Sequence, residues 1–431
     1  MAHRIEYKVS ALPRRRRNPA MLRNTDLSMA QERQRDNQQW MLDWMIKTTG
    51  REQNFQYDGR RFPEDAKTYR MIPRVMFKHG AKKERIARAA DERSHAQTAI
   101  RLYYEAVEDY RHGQHAIFED DNPEKQYIHD RMSACYDRII ELSDGRIERV
   151  EIDWAGNRMS GLLHLAPGPG PAPLVLFCPG MDMSKEAQPH PVDNVFTSRG
   201  MHVLSIDGPG QGVSNLRKVR VTADNYEQAG SAFLDAVVER DDVDAGRIAV
   251  SGFSMGSHWG SRIAARDDRV KAVATAAATY GSKRPLFQLA SPRFKQIFMY
   301  MAGIHDEEEF NELATQLGLV DQAAAITCPS LQVIGEYDPL CYLEDAYEVY
   351  QRITGPKEFW VIENDFHVPL DIPNLGGLDV YPFLADWLWD ALHGRIPEGH
   401  AKEVLIRQDG VGPYDDQVPG YWLPERAPLL E

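Results

Sequence analysis

Arg247-Ile248-Ala249-Val250-Ser251-Gly252-Phe253-Ser254-Met255-Gly256 carries two signals at once. A short apolar, β-branched run ends in Gly-x-Ser-x-Gly, and the text after it opens like a helix. Strand, sharp turn and helix form the context in which this pattern is a nucleophile elbow. Small residues flank the serine because the turn is strained and neighbouring backbone must pass close by. Ser254 Oγ then stands at a helix N-terminus, where the dipole favours developing negative charge.

A serine hydroxyl needs a base, and the base needs a group to orient it. On this kind of turn the partners follow in the order acid, then histidine, each past the end of a later strand. The run Ser330-Leu331-Gln332-Val333-Ile334 leads into Gly335-Glu336-Tyr337-Asp338-Pro339, which puts Asp338 at a strand end. Glu358-Phe359-Trp360-Val361-Ile362 leads into Glu363-Asn364-Asp365-Phe366-His367. Ser254, Asp338 and His367 are therefore the candidate nucleophile, orienting acid and base. Glu336 and Asp345 are the competing acids. His258 follows the serine on one helix and points away, and His164 and His202 fall within strands. His112 and His115 read as surface histidines, because no carboxylate or cysteine cluster completes a metal site around them.

An oxyanion hole needs the backbone N–H after the nucleophile, here Met255, and a second N–H from the loop after an early strand. Cys178-Pro179-Gly180-Met181-Asp182 follows Leu174-Val175-Leu176-Phe177. Gly180 lets backbone approach the substrate and Met181 supplies the second donor. Cys178, at the end of a buried strand, reads as a core thiol. The turn Asp207-Gly208-Pro209-Gly210-Gln211-Gly212 reads as structural: it lacks the complete glycine pattern of a phosphate loop, and proline removes one donor.

Working outward, strand-like runs occupy 149–154, 158–166, 173–178, 201–206, 247–251, 270–276, 330–334 and 358–362. Several are continuously apolar and most later ones are separated by helical lengths, the pattern of a parallel sheet buried on both faces. The first two flank Ala155-Gly156-Asn157 as an antiparallel edge hairpin. The expectation is an α/β chain with a mostly parallel eight-stranded sheet. Before it, residues 1–145 read as an all-helical cap or dimerisation domain, with Trp40 and Trp44 one turn apart and Ala96, Ala99, Tyr103, Val107 and Tyr110 on one stripe. Residues 146–396 form the catalytic domain, with 283–325 as a lid insertion rich in aromatics and methionine. Residues 397–431 read as an extended Pro/Gly-rich tail.

The 431 residues are 42 % hydrophobic and 27 % charged, enough to bury a large core. The net charge of −13 is uneven. Residues 1–145 hold 27 basic and 23 acidic side chains, the remainder 24 and 41. So acidic a body argues against a nucleic-acid groove. No apolar run is long enough for a membrane helix. The Arg14–Arg17 run has no apolar segment behind it and reads as a solvated arm rather than a secretory signal. Cys135, Cys178, Cys328 and Cys341 are scattered, which fits a reducing cytoplasm and neither a disulfide framework nor zinc.

Gly180-Met181-Asp182 with Ser184-Lys185-Glu186, the turn at 207–212, the elbow and the spacing to Asp338 and His367 together resemble one α/β-hydrolase subfamily. It includes 2,6-dihydroxypseudooxynicotine hydrolase, fungal chain-shortening polyketide hydrolases and the FrsA-like proteins. The resemblance covers about residues 150–395 and, more loosely, the helical region. It implies a helical domain capping the site, a serine triad, no metal or cofactor, and a homodimer. Members cleave carbon–carbon bonds beside aryl or polyketide carbonyls, or act as esterases. The implied function is hydrolysis of a C–C bond or an ester in an aryl-ketone or polyketide-like small molecule, aromatic or apolar. The alternatives are an esterase or lactonase, and a non-catalytic FrsA-like binding or regulatory protein. Two departures stand out: Val213 replaces the acid that relatives tend to carry after the glycine-rich turn, and Lys283-Arg284-Pro285-Leu286 contains no substrate-binding glutamate.

Overall fold

The computed structural model describes residues 39–50, 62–290, 292–367 and 370–415. The Arg14–Arg17 run and residues 416–431 of the expected tail lie outside them. Helices come first: α1 (Gln39–Thr49), α2 (Ile72–Asp91), α3 (Ala96–His115) and α4 (Pro123–Leu142). Asn122 caps α4 by accepting the Lys125 N–H at 3.0 Å, and Pro123 occupies the first turn, where its missing N–H costs nothing. Tyr103, Val107 and Tyr110 of the predicted stripe are buried with Met132 and Tyr136 from α4. Gly80 on α2 brings that helix against Tyr110: an added Cβ would lie 2.9 Å from its ring. Trp44, by contrast, is 61 % exposed.

The second part contains β1 (Ile147–Trp154), β2 (Asn157–His164), β3 (Ala172–Cys178), β4 (His202–Ile206), α5 (Gly212–Leu216), α6 (Asn225–Val237), β5 (Val243–Phe253) and α7 (Met255–Ala264). It continues through β6 (Val270–Ala276), α8 (Lys283–Leu289), α9 (Pro292–Ala302), α10 (Glu307–Gln316), β7 (Ser330–Gly335), α11 (Leu343–Arg352), β8 (Lys357–Ile362), α12 (Val380–Leu392) and β9 (Ala401–Ile406). The strands form one sheet in the order β1-β2-β4-β3-β5-β6-β7-β8-β9. β1–β2 and β2–β4 pair antiparallel and every later pair is parallel. Separate apolar cores cover its two faces.

The eight-stranded expectation is corrected to nine. The added strand, β9, falls inside the stretch read as an extended tail, and it pairs with β8 from Lys357↔Ala401 to Ile362↔Ile406. Only Val404, Leu405 and Ile406 are buried in it, too short an apolar run to announce a strand. The inserted helices α8 to α10 pack Phe287, Phe298 and Phe310 together at ring separations of 5.2–5.9 Å, and Phe298 reaches Trp259 on α7. Among the described residues no helix is long and apolar enough to cross a membrane.

β3 and β5 are neighbours from which the chain departs in opposite directions, β3 to β4 and β5 to β6. Such a switch point opens a crevice beyond the carboxyl ends of the strands. The loops leaving those ends carry Gly180 and Ser254.

Candidate functional site

Ser254 sits between β5 and α7 with φ 55° and ψ −124°, a conformation a non-glycine residue holds only when its surroundings enforce it. Its N–H donates to Ala276 O on the adjacent strand at 3.0 Å, and its carbonyl accepts from Ser257 N at 2.9 Å and Thr279 Oγ1 at 3.3 Å. Glycine is required next door. A Cβ on Gly256 would lie 1.9 Å from Cys178 O, so the first turn of α7 presses directly on the end of β3.

His367 and Asp338 arrive from the ends of β8 and β7. His367 Nε2 lies 2.8 Å from Ser254 Oγ, and Nδ1 lies 2.7 Å from Asp338 Oδ2. An ionised carboxylate only accepts, so the ring proton belongs on Nδ1 and Nε2 is left to accept from the hydroxyl. Asp338 Oδ1 accepts Leu340 N–H at 2.8 Å, which fixes the carboxylate. All three side chains are buried. Of the competing acids, Glu336 accepts Asn364 N–H and Asp345 packs against Gly281.

The other singled-out residues fall elsewhere. His258 is fully buried, and among the described residues neither ring nitrogen has a partner. His164 meets Tyr136 Oη at 3.2 Å, while His202 is held by Ala166 N–H and Asp242 O. His112 and His115 are half-buried rather than surface residues: His112 bonds Glu108 O and Arg111, and His115 lies edge-on to Phe118. Among the described residues no His/Cys/Asp/Glu group could hold a metal. Burial pushes the Cys178 thiol well up, as in an inert core.

Gly180 and Met181 lie beside the serine; a Cβ on Gly180 would approach Ser254 Cβ to 3.3 Å. Met255 is the first residue of α7, so its N–H has no intrahelical acceptor. What holds the Gly180 loop was not legible from spacing. Gln211 Nε2 donates to Gly180 O at 2.7 Å, and Gln211 Oε1 accepts from Tyr226 Oη, whose ring stacks 4.0 Å from Trp259. Further along, Lys185 Nζ bridges Glu186 (2.6 Å) and Asp207 (2.8 Å), all three fully buried. Lys185 holds the Glu186 carboxyl down to about 2, while burial pushes Asp207 up. The glycine-rich turn is thus structural, and its structure supports the loop beside the serine. The Ser184-Lys185-Glu186 run was the available signal.

Helices α3 and α9 both reach this edge. Arg111 on α3 donates to Asp182 O at 3.2 Å, and Arg293 on α9 reaches the Asp182 carboxylate at 3.4 Å. Burial pulls Arg293 down to about 9. A chamber lies between α3, α4, the 181–184 loop, the 210–212 turn and α9; Arg111, Lys125, Met181, Gln211 and Tyr300 line it.

Comparison with known proteins fits this architecture. The chain is 28 % identical over 269 residues to a 2,6-dihydropseudooxynicotine hydrolase from Paenarthrobacter nicotinovorans, an alignment covering 61 % of this chain and 69 % of that one. It is 28 % identical over 228 residues to the alpha/beta hydrolase xenA of Xenoacremonium sinensis, covering 50 % of this chain and about half (52 %) of that relative's length. The crystal structure of the 2,6-dihydroxy-pseudo-oxynicotine hydrolase superposes with a TM-score of 0.67 at 24 % identity, over 77 % of this chain and 92 % of that one, which shows the shared fold. The FrsA-like esterase description matches residues 69–289, just over half of the chain. With the sheet, the elbow and these relatives in agreement, the chain is an α/β-type hydrolase and belongs to the FrsA-like esterase family.

Proposed function

We propose that the protein is a serine hydrolase that cleaves a C–C bond beside a carbonyl, or an ester, in an aryl-ketone or polyketide-like small molecule. The observation that carries the reading is the unbroken chain from Ser254 Oγ through His367 to the Asp338 carboxylate, at 2.8 and 2.7 Å. Ser254 Oγ attacks the carbonyl while His367 Nε2 takes its proton, and Asp338 stabilises the imidazolium. The Met181 and Met255 amides receive the oxyanion, each worth roughly 3–4 kcal/mol in the transition state. The bond to the leaving group then breaks, and His367 returns the proton to it, to oxygen in an ester or to carbon in a ketone. Water, deprotonated by His367, releases the acyl group as a carboxylic acid and restores the serine. The name of one relative, a 2,6-dihydropseudooxynicotine hydrolase, supports the aryl-ketone choice.

Intact-mass measurement with an aryl ester and an aryl 1,3-diketone tests this. An acyl adduct is expected on the wild type and not on Ser254→Ala, and His367→Ala should lose turnover by about 10³-fold or more. Adducts from the ester alone reduce the activity to ester hydrolysis; adducts from neither compound refute the serine reading.

A further inference from the structure

The chamber between the helical part and the insertion is small, about 40 Å³, room for a few water-sized groups. It has room for a carboxylate-sized group. Its polar lining is unbalanced. Lys125 is 6 % exposed, and its Nζ donates to the carbonyls of Gln114 (3.1 Å) and Ile117 (2.8 Å). Burial pulls this lysine down to about 7, and its ammonium form, which an entering anion favours, has three N–H groups, so one is left over. Among the described residues no carboxylate lies within ion-pair distance of it; the nearest influential acid, Asp120, is committed to Arg220 at 2.6 Å and to Lys218. Tyr300 lies below it with the ring centroid 4.8 Å away, and the buried Tyr300 Oη has no partner among the described residues. A buried donor left unmade costs about 1–3 kcal/mol. The lone carboxylate of the lining, Asp182, is taken by Arg293.

The position of the chamber matters as much as its charge. Its lining includes Met181 and Met183 from the loop after β3, and none of Ser254, Phe366 and His367. The leaving group must sit on the His367 side to receive its proton, so the chamber is on the acyl side. We infer that this chamber is an acyl-side subsite for an anionic oxygen, and that Lys125 and Tyr300 select substrates whose acyl part carries a carboxylate or an acidic enol. The inference rests on the serine-hydrolase reading and adds a substrate class to it. Arg111 is held by Glu108 and Arg293 by Asp182, which leaves Lys125 as the ammonium of the lining without a carboxylate among the described residues.

Two 4-nitrophenyl esters separate the possibilities: the mono-ester of glutaric acid, with a free carboxylate, and its methyl-capped neutral counterpart. Wild type is expected to prefer the acid by at least tenfold in kcat/KM. Lys125→Met should collapse that ratio to near one, chiefly through KM for the acid, and Tyr300→Phe should lower it several-fold. In the Ser254→Ala protein, calorimetric binding of the acid ester should be at least tenfold tighter than that of the methyl-capped ester, with the difference lost on adding Lys125→Met. A wild-type ratio at or below one, or an unchanged ratio in Lys125→Met, overturns the subsite and leaves the hydrolase reading intact. Failure of the wild type to hydrolyse either ester counts against the hydrolase reading, whereas equal binding of the two esters to Ser254→Ala overturns the subsite by itself.

Discussion

Ser254 holds its φ of 55° at a cost on the order of 1–3 kcal/mol, imposed by β6 and the first turn of α7. Glycine adopts that conformation freely but loses roughly 0.5–1 kcal/mol in chain entropy. Ser254→Gly should therefore be about 1 kcal/mol more stable than Ser254→Ala, which keeps the strain while losing the same hydroxyl. Urea unfolding of the two variants reads the difference, and equal midpoints would mean that the turn stores no strain. At this scale the sequence was informative where chemistry follows a strand end directly. Ser254, Asp338 and His367 each stand in such a loop, and the structure brings them within hydrogen-bond reach. Gln211, Lys125 and Tyr300 were not legible, because what they meet is a side chain 15 or more residues away or a carbonyl that any sequence supplies.

Among the elements, the loop after β3 depends on a buried charge cluster. Lys185 neutralises one of the two carboxylates it touches, so the cluster is negative overall and completely desolvated. Removing the lysine leaves Glu186 and Asp207 facing each other without a cation, and breaking a buried pair in this way costs about 3–5 kcal/mol. Lys185→Met should lose that much in urea denaturation. Glu186→Gln should lose far less, since it removes excess negative charge while Ser184 Oγ, 2.7 Å from the replaced group, retains a partner. Comparable losses in both variants would show that packing, not charge balance, holds the loop. Elements also show where sequence reading stops. The β1–β2 hairpin was evident from Ala155-Gly156-Asn157 between alternating runs. β9 was hidden, because its first three residues, Ala401-Lys402-Glu403, stay partly exposed and only pairing along β8 makes it a strand.

Across the whole molecule, several groups are buried in the uncharged form, and they set how stability varies with pH. Burial holds His129 down to about 4 and His164 to about 3, and His258, flanked by Lys283 and Arg262, lies well below its ordinary value. A histidine whose folded pKa is depressed contributes stability that is complete above its unfolded value near 6.5 and is lost as pH falls below it. Each group contributes about 1.4 kcal/mol per pH unit, so the three give about 4 kcal/mol per unit from pH 6 towards 4, from which Asp365, pushed up to about 6 by burial, takes back about 1.4. Buried Lys125 and Lys283, both lowered to about 7, act in the same direction at higher pH. The unfolded chain keeps those protons up to about 10.4, so the lysines add stability above pH 7, until the unfolded thiols begin to ionise near 8.5 while burial keeps Cys135, Cys178, Cys328 and Cys341 protonated in the folded chain. The expected melting profile therefore climbs from pH 4.5 through neutrality, peaks near pH 8 and falls beyond it, where four thiols outweigh two lysines. His164→Asn should flatten its acid limb and Lys283→Met its rise between pH 7 and 8, each measured against the wild type by differential scanning calorimetry. A profile level between pH 6.5 and 5 would mean that these histidines reach water or a partner before the chain unfolds.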